Sequence, residues 1–84
     1  MKIFVGNLAT ETVEKDLMTV FQEYGDIAHV NIAKIMASGK SRGFGFVDVA
    51  RDKEGRDAIV HLNGTSLHGQ KIRVSQAHRK DGTR

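Results

Sequence analysis

Phenylalanine and basic side chains are the residues of this sequence whose types and spacing point to a binding chemistry. Phe4 lies close to the N-terminus, and Phe44 and Phe46 are separated by a single glycine. Basic residues lie beside them or towards the C-terminus, namely Lys2, Arg42, Lys71 and Arg73. Aromatic faces stack on nucleobases, and cations neutralise phosphates. A fold that gathers these side chains on one surface would suit a single-stranded nucleic acid.

Other chemistries find little support in the sequence. It has no cysteine, which excludes disulfides, thiolate metal sites and cysteine nucleophiles. Its four histidines lack the spacing of metal ligands, and no serine–histidine–acid arrangement can be inferred. We therefore expect no enzyme activity, no metal and no cofactor.

Length and charge limit the architecture and the partners. The 84 residues suffice for one small domain. The net charge of +3 is uneven, since residues 1–30 carry two basic and five acidic side chains and residues 31–84 carry 11 basic and five acidic ones. The basic second part favours a polyanionic partner. Because no apolar run approaches the roughly 18 residues of a membrane span and no signal peptide is recognisable, we expect a cytoplasmic protein without a membrane partner. We also expect a monomer.

Hydrophobic patterns predict four strands and two helices. Apolar residues alternate with polar ones, or form short runs, over residues 3–5, 27–35, 42–49 and 71–76, which we interpret as strands. Apolar residues recur every three or four positions over residues 12–24 and 52–62, which we interpret as helices. Residues 36–41 are predicted to form a loop.

Capping residues and glycines support the two predicted helices. Thr12 and Asp52 are the expected N-caps, and Gly25 is expected at the C′ position of the first helix. Gly55 lies inside the second helix at a cost of about 1 kcal/mol relative to alanine. A close approach of this helix to a sheet would explain its presence.

The order β-α-β-β-α-β predicts an α+β fold of the ferredoxin-like class. Right-handed crossovers then give a four-stranded antiparallel sheet with the first and third strands in the middle. Both helices lie on one face of this sheet, and the opposite face is uncovered.

Alternation along the strands decides which side chains face the uncovered side. Ile3 and Val5 share one face of the first strand and Phe4 the other, while Phe44 and Phe46 lie opposite the β-branched valines of the third strand. We expect the β-branched residues to form the core and the three phenylalanines to be exposed together. An alternative is that a loop or the C-terminal tail covers these rings, but the tail, residues 78–84, has no apolar residue that could do so.

Two segments carry a resemblance to a known family. Residues 42–49 read Arg-Gly-Phe-Gly-Phe-Val-Asp-Val and resemble the ribonucleoprotein octamer of the RNA recognition motif family, basic-Gly-aromatic-Gly-Phe-Val-x-aromatic. Seven of the eight positions fit, and Val49 replaces the last aromatic residue. Residues 3–8 read Ile-Phe-Val-Gly-Asn-Leu and resemble the companion hexamer of the family. The resemblance extends over residues 1–77, which would form the domain, and residues 78–84 would form a flexible basic tail.

The resemblance implies binding of single-stranded RNA across the sheet, as in ribonucleoproteins. Phe4 and Phe46 would stack on bases, and Phe44 would pack against sugars. Asn7 and the strand end at Gln76 would offer base-edge or main-chain contacts. Phosphates would be neutralised by basic side chains, for which the candidates are Lys2, Lys40, Arg42 and Arg73.

Another class of function remains as an alternative, since the same aromatic face, or a helix, could serve as a protein-interaction module. As a partner of the RNA-binding face, single-stranded DNA could bind more weakly than RNA. A cold-shock barrel has a similar Lys-Gly-Phe-Gly-Phe strand, but its all-β fold conflicts with the helical patterns of residues 12–24 and 52–62.

Overall fold

The computed structural model describes residues 1–34 and 41–77, and it describes only the backbone of Lys34, Ser41 and Arg42. The predicted tail over residues 78–84, the end of the second strand at Ile35 and residues 36–40 of the predicted loop lie outside the described residues. The prediction of a loop at Ser41, the last residue of the range 36–41, is wrong, because a strand begins there. The elements are β1 (Lys2–Gly6), α1 (Glu14–Phe21), β2 (Ile27–Lys34), β3 (Ser41–Val49), α2 (Asp52–Leu62), β4 (Ser66–Leu67), β5 (Gln70–Lys71) and β6 (Arg73–Gln76).

The main sheet has the predicted topology. Its four strands are antiparallel in the order β2-β3-β1-β6, so β1 and β3 occupy the middle. Both helices contribute buried side chains to one core together with one face of this sheet, which confirms the ferredoxin-like α+β prediction. Neither helix in the described part of the chain is long and apolar enough to cross a membrane.

The core is built from the β-branched positions of the two central strands. Ile3 and Val5 of β1 and Val47 of β3 are completely buried, and Val49 is almost so. The register pairs Ile3 with Val47 and places Val5 opposite Gly45. The predicted alternation of the two faces is therefore confirmed for both strands.

Helix α1 is shorter than predicted and has a different N-cap. The prediction of Thr12 as the N-cap is wrong, because Val13 occupies that position and Thr12 is buried with 1 % of its surface exposed. Asp16 compensates, since its Oδ2 accepts a hydrogen bond of 3.0 Å from the Val13 N–H. The C-cap is Gln22, so the placement of Gly25 at C′ is also wrong.

Helix α2 has the predicted bounds but not the predicted cap. Arg51 is the N-cap, and Asp52 is the first helical residue. Gly55 is buried, and a Cβ atom built on it would lie 2.5 Å from the Met1 Sδ. A close approach is therefore present at this glycine, but it is made by the side chain of Met1, the residue before β1, and not by a strand of the sheet as predicted.

A bulge in β2 sets which of its side chains face the uncovered side. Ile27 pairs with Val49, but His29 pairs with Asp48, so one additional residue lies between the two pairs on β2. Beyond the bulge the strand alternates regularly. Val30 then packs against the core, and Asn31 is exposed.

The chain after α2 contains a small hairpin that the sequence analysis missed. Strands β4 and β5 form a separate two-stranded sheet, joined by His68 and Gly69, which both have positive φ angles. Strand β6 is consequently shorter than the strand predicted over residues 71–76. The N–H of Ile72 donates to the Thr65 carbonyl at 2.9 Å, which directs the main chain away from the β1 ladder before β6 begins.

This hairpin is attached to the start of α1. The His68 Nε2 lies 3.0 Å from the Asp16 Oδ2, the same oxygen that accepts the Val13 N–H. The Val13 N–H and then the His68 side chain hold the pKa of the Asp16 carboxyl below its ordinary value. One carboxylate thus connects the N-terminus of a helix with the hairpin.

The assignment of the inner face predicts a large stability difference between two identical substitutions. Val47→Ala should lower the free energy of unfolding by about 1–2 kcal/mol, because it removes buried methyl groups and leaves a cavity. Val60→Ala in α2 should have almost no effect, since 75 % of the surface of Val60 is exposed. Urea denaturation of both variants measures the difference, and equal losses of stability would contradict this assignment of the core.

Candidate nucleic-acid interface

Three phenylalanine rings form one cluster on the face of the sheet that the helices leave uncovered. Phe4 of β1 is directly opposite Phe46 of β3, and Phe44 is opposite Gly6. The Phe4 ring centroid lies 6.0 Å from that of Phe44 and 5.8 Å from that of Phe46, and the Phe44 and Phe46 centroids are 6.2 Å apart. All three side chains are partly exposed. The cluster predicted from strand alternation is therefore present.

The orientation of Phe4 depends on a glycine at the end of β1. A Cβ atom on Gly6 would lie only 2.8 Å from the Phe4 Cε2, closer than real Cβ contacts. Glycine at this position therefore allows the Phe4 ring to lie over the strand rather than stand away from it. The ring presents a flat surface beside the other two.

The described basic residues lie at different places around the aromatic cluster. The Lys2 Nζ lies 5.0 Å from the centroid of the Phe46 ring, a cation–π distance. Arg73 is exposed and pairs with Gly6 on the other side of β1. Lys71, in the hairpin, accepts a hydrogen bond through its carbonyl oxygen. The side chain of Arg42 and the whole of Lys40 lie outside the described residues.

Asn7 stabilises the edge of this face. It has a φ angle of 58°, and its Nδ2 donates a hydrogen bond of 2.7 Å to the Lys71 carbonyl oxygen. The amide nitrogen thus connects the end of β1 to the hairpin. A contact of Asn7 with a base would use the second N–H or the oxygen of this amide, or the main chain.

The C-terminal strand brings main-chain groups to the same surface. Gln76 pairs with Ile3, which faces the core, so alternation directs the Gln76 side chain towards the helix side of the sheet. The next residue, Ala77, donates its N–H to the Lys2 carbonyl oxygen at 2.9 Å. The main chain at this strand end therefore borders the open face beside Lys2.

Three polar residues on the open face were not among the predicted site residues. They are His29, Asn31 and Asp48, and with Lys2 and Phe46 they line a cleft of about 220 Å³. His29 pairs with Asp48, and Asn31 pairs with Phe46. Strand alternation was the sequence signal that could have identified them. All three alternate along their strands with valines that face the core, and so their side chains lie on the other face of the sheet.

No group of three or more histidine, cysteine, aspartate or glutamate side chains within residues 1–34 and 41–77 is arranged to hold a metal ion. The chemistry of the open face in the described structure is that of aromatic surfaces, cations, amides, the His29 imidazole and the Asp48 carboxylate. These groups can stack, neutralise charge and form hydrogen bonds.

Comparisons with known proteins place the chain in a family. Residues 3–73 match the family described as the RNA recognition motif. A crystal structure of the RNA-binding protein PG1 is similar, with a TM-score of 0.91, 35% identity, and coverage of 95% of this chain and 96% of that chain. The second RNA recognition motif domain of the yeast poly(U)-binding protein Pub1 has a TM-score of 0.84 and 26% identity, and the match covers 93% of this chain and 94% of that chain.

A structure described as a Sex-lethal protein/RNA complex is also similar, with a TM-score of 0.85 and 32% identity over 90% of this chain and 47% of that chain. The family match spans both segments that carry the aromatic cluster, and the structural matches reproduce the order of helices and strands. By sequence and by fold, the chain belongs to the RNA recognition motif family.

Proposed function

We propose that this protein binds single-stranded RNA on the open face of its sheet. The observation that carries the proposal is the cluster of Phe4, Phe44 and Phe46, whose rings lie within about 6 Å of one another and are partly exposed. An exposed aromatic patch is costly in water and marks an interaction surface. The relationship to the Sex-lethal protein, which is described in complex with RNA, supports RNA as the partner.

The angles between the rings favour an unpaired strand. The planes of Phe4 and Phe46 are inclined by 65° to each other. Two bases that stack on these two rings cannot remain parallel to each other, as they are in a helix. The RNA must therefore be single-stranded or locally unstacked, with its bases spread across the sheet. The Phe44 ring is inclined by only 27° to the Phe4 ring. In the proposed complex it packs against sugars of the RNA.

Basic side chains supply the electrostatic part of the binding. Lys2 and Arg73 lie on opposite sides of Phe4 across the described sheet, and Lys40 and Arg42 are further candidates for phosphate contacts. Each neutralised phosphate releases counterions, so binding should weaken as the salt concentration increases. The main chain near Gln76 and the amide of Asn7 supply contacts to base edges. The function is binding alone, without a catalytic step.

A protein-interaction module on the same face is the competing proposal. A peptide that packs on the rings gains affinity from apolar burial, which has no reason to depend steeply on salt or to distinguish single-stranded from duplex RNA. Binding of nucleic acid should show both dependences. The comparison of single-stranded with duplex RNA and the substitution of Phe46 therefore separate the two functions.

Single-stranded RNA should bind more tightly than duplex RNA of the same sequence. A duplex hides the base faces, and each lost stack is worth about 1–3 kcal/mol, so the affinities should differ by at least about tenfold. Fluorescence anisotropy with end-labelled oligonucleotides of mixed sequence measures both. Single-stranded DNA serves as a third ligand and should bind more weakly than RNA. Equal affinity for single-stranded and duplex RNA would contradict binding through stacked bases.

Substitution of Phe46 should separate stacking from simple apolar contact. Phe46→Ala should weaken RNA binding by about 1–3 kcal/mol, the contribution of one stacked base. Phe46→Leu retains apolar volume but lacks an aromatic face, so its affinity should also fall, whereas Phe46→Tyr should bind nearly as well as the unaltered protein. The ring contacts of Phe46 contribute about 1 kcal/mol to stability. All titrations should therefore be made at a temperature well below the unfolding transition of each variant.

Isothermal titration of the three variants with one RNA gives the comparison. If Phe46→Leu binds as tightly as Phe46→Tyr, the aromatic face of residue 46 does not carry the interaction and the stacking proposal is wrong.

A further inference from the structure

A row of three polar residues crosses the sheet beside the ring of Phe46. Asp48 of β3 lies directly opposite Lys2 of β1 on one side and opposite His29 of β2 on the other. The neighbouring row places Phe46 between Phe4 and Asn31. The stacking surface of Phe46 is therefore bordered by a carboxylate and an ammonium group that are held by the strand register.

The cleft among these residues has the size of one ring system. Its volume of about 220 Å³ is below the roughly 300–1,000 Å³ that is usual for ligand pockets. It lies on the face of the sheet that carries the aromatic cluster and is lined by Phe46. A single base stacked on Phe46 would place its hydrogen-bonding edge among the polar side chains of the cleft.

Asp48 is available for hydrogen bonds from such a base. Its side chain is 52 % exposed, and its Oδ1 forms an ion pair of 3.7 Å with the Met1 ammonium, a distance longer than a hydrogen bond, so the carboxylate oxygens can still accept hydrogen bonds from a base. An ionised carboxylate only accepts hydrogen bonds, and its two oxygens can accept two parallel ones. A carboxylate on a surface that binds phosphates is repulsive, unless it meets a part of the ligand that donates hydrogen bonds.

The Watson–Crick edges of the four bases differ in the hydrogen-bond donors and acceptors that they present to Asp48 and Lys2. Guanine presents two adjacent donors, N1–H and the N2 amino group, next to the acceptor O6. Adenine and cytosine each present one amino donor beside an acceptor nitrogen, and uracil presents one N–H between two carbonyl acceptors. The acceptors of Asp48 with the donor of Lys2 beside them are complementary to guanine and to no other base.

We propose that the base stacked on Phe46 is guanine, selected by Asp48 and Lys2. The Asp48 carboxylate accepts the N1–H and one N2–H, and the Lys2 ammonium donates to O6. The ammonium lies over the Phe46 ring in the structure, and it moves to the edge of the base when the base takes that position. This inference rests on the proposed binding of single-stranded RNA and adds the base that one position of the site prefers.

Binding of matched oligonucleotides to the unaltered protein tests the selection. An octauridine with one central guanosine should bind about 5- to 150-fold more tightly than octauridine or the oligomers with a central adenosine or cytidine, the range that corresponds to one bidentate pair. Inosine lacks the N2 amino group and should lose much of this preference. A central 7-deazaguanosine retains the Watson–Crick edge and should bind as guanosine does.

A charge-matched pair of variants assigns the preference to one carboxylate. Asp48→Asn replaces one acceptor by a donor, so it should reduce the guanosine preference at least about fivefold and favour adenosine or cytidine. Asp52→Asn removes the same charge, at a residue whose Oδ1 lies 3.8 Å from the same Met1 ammonium, and should leave the preference unchanged. Circular dichroism checks that both variants are folded.

Three results would overturn the inference. Equal affinity for all central bases would exclude selection of a base at this position, and inosine equal to guanosine would exclude the bidentate contact of Asp48 with N1–H and N2–H. An increase of affinity for every oligomer in Asp48→Asn, with the guanosine preference unchanged, would mean that Asp48 only repels phosphates. In each of these cases the protein still binds RNA, so the proposed function is not contradicted. Absence of binding by every oligomer would instead reject the proposed function, and the inference with it.

Discussion

Alternation of side chains along β1 and β3 connects the binding surface to the stability of the core. Phe4 and Phe46 alternate with Ile3, Val5, Val47 and Val49, which have at most 1 % of their surfaces exposed. A slip of one residue in either strand would exchange the two faces and expose the aliphatic side chains. Each of these contributes about 1.5–3 kcal/mol through burial. The exposure of the phenylalanines is therefore enforced by the core on the other side of the same strands.

The uncovered face carries a cost that the ring contacts reduce. Two helices on one side of a four-stranded sheet leave the other side open to water, and the rings of Phe4, Phe44 and Phe46 lie there. Their mutual contacts, with centroids 5.8 to 6.2 Å apart, bury part of each ring and fix their relative angles. The rings are thus arranged before a ligand arrives, which lowers the entropy that binding must overcome.

Sequence patterns predicted the order of the elements and the inner and outer faces, because the period of two along Ile3–Val5 and Val47–Val49 reports directly on burial. They did not predict features that depend on tertiary contacts. Thr12 has the chemistry of an N-cap, but it is buried and the helix begins one residue later, so Val13 is the N-cap and Asp16 accepts its N–H. The β4–β5 hairpin consists of two-residue strands, too short for any period to be visible.

The site could be predicted only in part, for a similar reason. The aromatic rings carry a strong signal, because exposed phenylalanines are unusual. Asp48 carries none by itself, since an exposed aspartate on a strand is ordinary until its cross-strand partners Lys2 and His29 are known. Lys40 and the side chain of Arg42 lie outside the described residues, so their roles stay predictions.

The most direct test of the account is an NMR titration of the ¹³C-labelled protein with unlabelled single-stranded RNA, followed through the aromatic side-chain resonances. Binding of RNA on the open face should shift the Phe4, Phe44 and Phe46 ring resonances and give nuclear Overhauser contacts to base and ribose protons, while the buried Phe21 ring stays unchanged. Unchanged resonances of the three exposed rings, with shifts confined to exposed helix side chains such as Met18 and Val60, would contradict it.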